Sequence, residues 1–378
     1  MYISAVLFLG FGLYLSVCIW IFMIITDAFA KLSLRGFFSV RKRFAGEVDG
    51  HFIMLKEGRM PGTAEMLRLF KLLERYSYRK YFLKRFIYAV DQIRDKDLIR
   101  TYFAEAIPHL GQVFHIRRKM HYAEKSYRMM QIGEFRQDTP EINAFLTGFL
   151  DDDSFEVRTN ALRALSVIGN PCYFNEGLKI ACNSDKYFNP RHITDVMESF
   201  EGDHAELQQL MLAEFYNGCE RYQYNVIAFL ADHKAGSAMT FVLDYLMQHL
   251  KRKEIVIACM RYFLACEINT RAKEIICGLL VEDDNEILAV AVKLLPKYFR
   301  HDGCMAEMLA GNRFLKSRDW YVRRNSAASY VRMGYTKDQL LRLLPPEDLY
   351  ARDALIYAMF DEGLMSFEEY ENLKRGAI

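Results

Sequence analysis

Carboxylate runs, and one run of cations interleaved with aromatic rings, are the residue groups of this chain whose types and spacing suit chemistry. Asp151-Asp152-Asp153 and Glu282-Asp283-Asp284 each stand just before a periodic apolar segment. There a carboxylate accepts from free helix N–H groups and meets the positive end of the helix dipole. General acid–base work would need a second carboxylate or a nucleophile in register, and none is placed so, which makes capping the expected role. From Arg75 to Val90 basic and aromatic residues alternate, with Arg79, Lys80, Lys84 and Arg85 as the candidate surface cations. Such a run suits stacking and phosphate contact with nucleic acid. It also suits docking on anionic headgroups, at about 1 kcal/mol per cation, or the outer face of an ordinary amphipathic helix. Arg117, Arg118 and Lys119, flanked by His115 and His121, extend the candidate partner or lipid surface. The two histidines lack the spacing and partners of metal ligands.

No H-E-x-x-H, phosphate-binding glycine loop, G-x-S-x-G or deaminase zinc signature occurs in the chain. The expectation is therefore a protein without catalytic residues, metal or cofactor. Its eight cysteines form no C-x-x-C pair and most lie within apolar helical patterns. They read as small buried hydrophobes in a reducing compartment.

The elements that carry these residues begin with a membrane helix. Met1 to Thr26 contains no charged side chain, and about 20 residues of helix cross a bilayer core. Ala28-Phe29-Ala30 resembles a signal-cleavage site, but the apolar run is long, no basic residue precedes it and strong positive charge follows. Lys31, Arg35, Arg41, Lys42 and Arg43 predict a short N-terminus outside and the rest of the chain in the cytoplasm, at the inner membrane. Charge is uneven beyond that point. Lys31 to Met130 carries 22 Lys/Arg against 10 Asp/Glu, and Gln131 to Ile378 carries 28 against 37.

Gly46 to Thr63, with Gly50, Gly58, Pro61 and Gly62, reads as a connector. After it apolar residues recur at three- and four-residue spacing in segments separated by short breaks, the pattern of paired helices. One grid repeats. From Val157 the pattern is Arg158 at +1, Ala161 at +4, Ala164 at +7 and Gly169 at +12. Val322 repeats it with Arg323, Ser326, Ser329 and Gly334, and Ala351 in part with Arg352, Ala358 and Gly363. Tyr224, with Ala228, Ala231 and Gly236, and Ile287, with Ala291, follow more loosely. The origins imply a unit of about 33 residues. Small residues at +4 and +7 let a neighbouring helix pack close. Gly at +12 takes the left-handed conformation that ends a helix. Arg at +1 reaches carboxylates or carbonyls of the adjacent unit.

These residues, from Asp153 through Val157-Arg158 to Ala164-Leu165, resemble the HEAT-repeat family. The resemblance implies an all-α chain: one N-terminal transmembrane helix, then a HEAT-like α-α superhelical solenoid of about eight helical pairs. The expected divisions are a transmembrane signal anchor over 1–30, a basic juxtamembrane segment and linker over 31–62, divergent basic repeats over 63–138 and HEAT-like repeats over 139–378. Solenoids of this kind serve mainly as scaffolds, and the layout suggests an accessory subunit of a membrane glycosyltransferase or envelope complex. Asp319-Trp320-Tyr321-Val322-Arg323-Arg324 is also similar to a segment of HEAT-like alkylpurine DNA glycosylases. That resemblance implies Trp320 stacking beside a damaged base and Asp319 acting as the acid. The net-acidic C-terminal half and the missing second Trp, since Trp20 lies in the apolar run, depart from it. Nucleic acid is therefore the lesser expectation. Asp319 is expected to cap a helix, with Trp320 packed or at a partner surface.

Overall fold

The computed structural model describes residues 2–111, 114, 120–186, 188–300, 313–343 and 348–375, with the backbone alone for 2–9, 29–43 and 190. Every regular element among them is helical. The chain divides into two compact units, Met1–Gly177 and Leu178–Ile378.

In the first unit, α1 (Tyr2–Lys56), α2 (Thr63–Leu73), α3 (Tyr76–Val90), α4 (Lys96–Ala106), α5 (Tyr122–Glu134), α6 (Pro140–Thr147) and α7 (Phe155–Ile168) follow in order. Helix α1 is one uninterrupted element of 55 residues. Its Gly10–Ala28 stretch is long and apolar enough to cross a membrane and is 0% buried. Its other end is core: Phe44, Val48, Phe52 and Leu55, spaced by four, four and three, are each at most 3% exposed. They meet α3 through Phe44 on Tyr78 (ring centroids 4.8 Å) and Phe52 on Phe82 (5.4 Å). The connector expected over Gly46–Thr63 is thus shorter, because Gly46 and Gly50 sit inside a helix whose apolar stripe is anchored. Only 57–62 link α1 to α2, with Gly58 at φ +73° making the turn. Asp49 pairs with Arg85 and Lys56 donates to Gln92, so α1 and α3 run parallel.

Helix α8 (Pro171–Asn183) spans the division between the units. The second unit continues with α9 (Pro190–Glu198), α10 (His204–Ala213), α11 (Glu220–Asp232), α12 (Met239–Gln248), α13 (Lys253–Ala265), α14 (Thr270–Leu279), α15 (Asn285–Ala291) and α16 (Leu295–Tyr298). Then come α17 (Trp320–Arg332), α18 (Lys337–Arg342), α19 (Leu349–Asp361) and α20 (Phe367–Lys374). Within each unit, alternate helices pack side by side: α3 on α5 and α5 on α7, then α9 on α11, α11 on α13, α13 on α15, α15 on α17 and α17 on α19. The sequence period has a physical counterpart. Asp138 accepts from Asn170, Arg100 donates to the Arg136 carbonyl, Lys179 to Glu214, Asn325 to the Ala289 carbonyl and Lys337 to Glu369. Each bond joins residues 32 to 36 positions apart. Asp49–Arg85 and Lys56–Gln92 obey the same interval, so the end of α1 packs as the first helix of the array.

Local signals set the helix ends. Ser154, Asp95 and Asp348 accept from first-turn N–H groups, and Ser366-x-x-Glu369 and Thr336-x-x-Gln339 form capping boxes.

Candidate functional site

The cations singled out on α3 divide by burial. Arg79 is 6% exposed, and its Nη1 donates to the carbonyls of Leu73 (3.2 Å) and Glu74 (3.4 Å). Arg158 does the same to Asp152 (2.8 Å) and Asp153 (3.0 Å). Each is the fourth residue of its helix, and each guanidinium lies 6.0 Å from the aromatic ring that opens the helix, Tyr76 or Phe155. Arg79 is therefore no surface cation: its side chain is folded against the turn before the helix. It belongs with the repeat motif, and the shared spacing aromatic-x-x-Arg was the signal available in the sequence. Lys80, Lys84 and Arg85 are exposed, and Arg85 is held by Asp49 at 2.7 Å. Arg117, Arg118, Lys119 and His115 lie outside the described residues.

The repeat grid places its other members as its geometry requires, with one exception. Val157, Ala161 and Val322 are fully buried, and Gly169, Gly334 and Gly363 take φ of +79°, +88° and +75°. At the looser Tyr224 grid the left-handed residue is Lys234 (φ +49°), two positions before Gly236. The +1 arginines find three kinds of partner. Arg158 closes its own loop, Arg323 lies 5.2 Å over the Tyr350 ring, and Arg352 donates to the Leu373 carbonyl at 2.9 Å.

Asp319 caps α17, accepting from the Val322 N–H at 3.0 Å. Trp320, in the opening position held elsewhere by Tyr76 and Phe155, is 53% exposed, and Arg324 lies 5.2 Å over its ring. Asp284 caps α15 and holds Lys253 at 3.2 Å. Before α7 the cap is Ser154 instead. Asp152 braces the loop by accepting from the Ser154 N–H and from Lys125, both at 2.9 Å. Among the described residues no group of three His, Cys, Asp or Glu could hold a metal ion. Cysteine burial is mixed: Cys182, Cys259 and Cys266 are buried, Cys219 is half-buried, and Cys18, Cys172 and Cys277 are exposed. Burial pushes the Cys182 thiol up to about 12, so it stays protonated and unreactive near neutral pH.

A further group escaped the sequence reading. Arg261 on α13, Lys293 in the 3-10 turn after α15 and Arg324 on α17 are exposed, and none makes an ion pair among the described residues. Their spacing, 32 and 31 residues, is the repeat interval, which is how the sequence could have revealed them. Partial burial, then Arg261, Arg324 and Arg332, hold the Lys293 ammonium below the usual lysine range. Arg332 itself is paired with Glu362 at 2.7 Å. Comparison with protein-family models, with curated proteins and with solved structures finds no match for this chain.

Proposed function

We propose that the protein is a single-pass membrane scaffold whose HEAT-type helical repeats, on the cytoplasmic side, bind other proteins, among them a membrane glycosyltransferase or another envelope component. The observation that carries the reading is the continuity of α1. One end is a 19-residue apolar stretch with Leu13, Trp20 and Phe22 at least 67% exposed, and the other end is sealed into the helical core. A core helix of a soluble protein would bury the first part, and a cleaved leader would not need the second. The positive flank supports the orientation.

Helix geometry also bears on what the α3 cations meet. Sixteen residues separate Ala28 from Phe44, about 24 Å of helix. Headgroups extend about 5–7 Å beyond the hydrocarbon, and the leaflet field decays over about 8–10 Å more. With an average tilt of about 20°, Lys80 and Lys84, packed beside the 44–52 stretch, stand about 20 Å out. A protein partner therefore suits them better than lipid, and Lys31 and Arg35 are the residues at headgroup height.

Fractionation of native membranes tests the proposal. The expected result is a full-mass chain that resists alkaline extraction and whose repeats are digested only when protease reaches the cytoplasmic face. A chain released to the outside and trimmed after Ala30 would overturn it.

A further inference from the structure

The helices that carry Arg261, Lys293 and Arg324 are neighbours in the second unit. Helix α13 packs on α15 and its 3-10 turn, and both pack on α17. Register is fixed by polar bonds: Lys297 donates to the Phe263 carbonyl at 2.9 Å, and Asn325 to the Ala289 carbonyl at 2.6 Å. Arg261 and Arg324 both act electrostatically on Lys293, so along these packed segments the three cations form a row with one member on each. Arg261 also donates to the Tyr224 hydroxyl at 2.9 Å, and Arg324 covers one face of Trp320. Among the described residues no carboxylate answers the row. Like charges gathered at a surface without an internal counter-ion raise the energy of the free protein, and an incoming anion removes that cost.

Spacing and charge identify the anion. Adjacent packed helices are about 8–10 Å apart, so the row spans about 16–20 Å. A single phosphate cannot bridge that distance. An extended polypeptide in the polyproline II conformation rises about 3.1 Å per residue with about three residues per turn, so carboxylates at every third residue share one face and fall about 9 Å apart, one per helix. Nucleic acid, with a charge on every nucleotide, suits the surroundings less well, because residues 178–378 carry 25 Lys/Arg against 29 Asp/Glu. Beyond the row the unit repels a polyanion. A segment charged only at the cation spacing meets attraction without that penalty.

We infer that Arg261, Lys293 and Arg324, with Trp320 at one end, form a docking row for an extended acidic segment of a partner protein, its carboxylates spaced about three residues apart. This rests on the scaffold reading and names the chemistry of one partner. Trp320 supplies an aromatic face of the kind that concentrates binding energy in interfaces.

The test uses the full chain in nonionic detergent and a fluorescein-labelled nonapeptide with Glu at positions 2, 5 and 8 and Ser and Gly elsewhere. Its counterpart with Gln and a ten-residue oligothymidylate serve as competing probes. The Glu peptide is expected to bind at least tenfold more tightly than the Gln peptide, and to weaken steeply with salt. The triple variant R261Q/K293Q/R324Q should lose at least tenfold while keeping its helical circular dichroism, and K80Q/K84Q should lose nothing. Equal binding of the Gln peptide, an unaffected triple variant, or tighter binding of the oligothymidylate each overturns the row. Affinity purification from solubilised membranes separates this from the scaffold reading. A partner recovered by the wild type and lost by the triple variant supports the row, whereas equal recovery removes the row and leaves the scaffold. No partner with the wild type removes the scaffold, and the peptide titration then decides the row by itself.

Discussion

Close approach between alternate helices should be measurable at Gly133. This residue, near the end of α5, faces Ala164 of α7. A methyl group added there would lie 2.7 Å from the Ala164 Cα and 2.9 Å from its Cβ. The first of these is backbone, so a side-chain rotation cannot relieve it and the two helices must part. Overpacking of this kind costs about 1–3 kcal/mol. Gly→Ala in a helix returns about 1 kcal/mol through propensity, which obscures the net effect. Gly46→Ala is the matched control, since Gly46 lies within α1 in the same unit and nothing stands within 4 Å of the added carbon. The difference between the two variants isolates the clash. At about 1.4 kcal/mol per factor of ten, amides of α5 and α7 should exchange hydrogen about 5- to 150-fold faster in Gly133→Ala than in Gly46→Ala. Mass-resolved exchange on the full chain reads this without assuming that both units unfold together. If Gly133→Ala protected these helices as well as Gly46→Ala does, close packing at the small positions would not hold the array together.

Other expectations follow from single contacts. Arg158→Met should destabilise the first unit by about 1.5–3 kcal/mol in urea titration, since the carbonyls of Asp152 and Asp153 lose a charged donor. Arg158→Lys should rescue only part of this, because the lysine stem ends one atom short of Nη1, the nitrogen that donates to both carbonyls. His51 is buried and its Nδ1 lies 2.9 Å from the Tyr102 hydroxyl. Burial holds it below the ordinary histidine value of 6.5, so the unfolded chain binds the proton more readily. The contribution of His51 should be complete above pH 6.5, fall as pH drops below it and level off below the folded value, and melts of wild type and His51→Phe across that range check this. Gly169→Ala, at φ +79°, should cost about 1 kcal/mol or more in the same titration despite its better helix propensity.

What could be read in advance depended on whether a residue acts alone or through its neighbours. The Gly10–Ala28 stretch declares itself through length and absence of charge. Gly169, Gly334 and Gly363 do so because one backbone conformation suits glycine far better than other residues. Gly236 misled because Lys234 had already taken the left-handed turn. Gly46 and Gly50 outweighed the four-four-three spacing of Phe44, Val48, Phe52 and Leu55, although an anchored apolar stripe overrides propensity by several kcal/mol. Asp152 was expected to cap and instead braces Ser154, a choice between adjacent oxygens that only the loop geometry makes. The row of Arg261, Lys293 and Arg324 needed the helix order before three distant cations could be placed together.

A positive charge on these helices meets one of several partners, and the fourth helical position does not by itself decide which. At the fourth position of α3 and α7 the stem turns back over the preceding loop, whereas Arg323 and Arg352, fourth in α17 and α19, meet the Tyr350 ring and the Leu373 carbonyl. Over the preceding loop the guanidinium satisfies carbonyls of the turn, as at Arg79 and Arg158. On a flank facing a carboxylate of the next helix it joins neighbours, as Arg85 does with Asp49. Its net contribution there is small, because an exposed pair is worth only about 0–1 kcal/mol. Where Arg261, Lys293 and Arg324 come together, no carboxylate among the described residues pairs with them, and a partner can supply the countercharge. Neutral residues at Arg261, Lys293 and Arg324 would remove their mutual repulsion but would lose the Arg261–Tyr224 bond and the Arg324–Trp320 contact. The energy left in that row is what a partner's carboxylates can recover on binding.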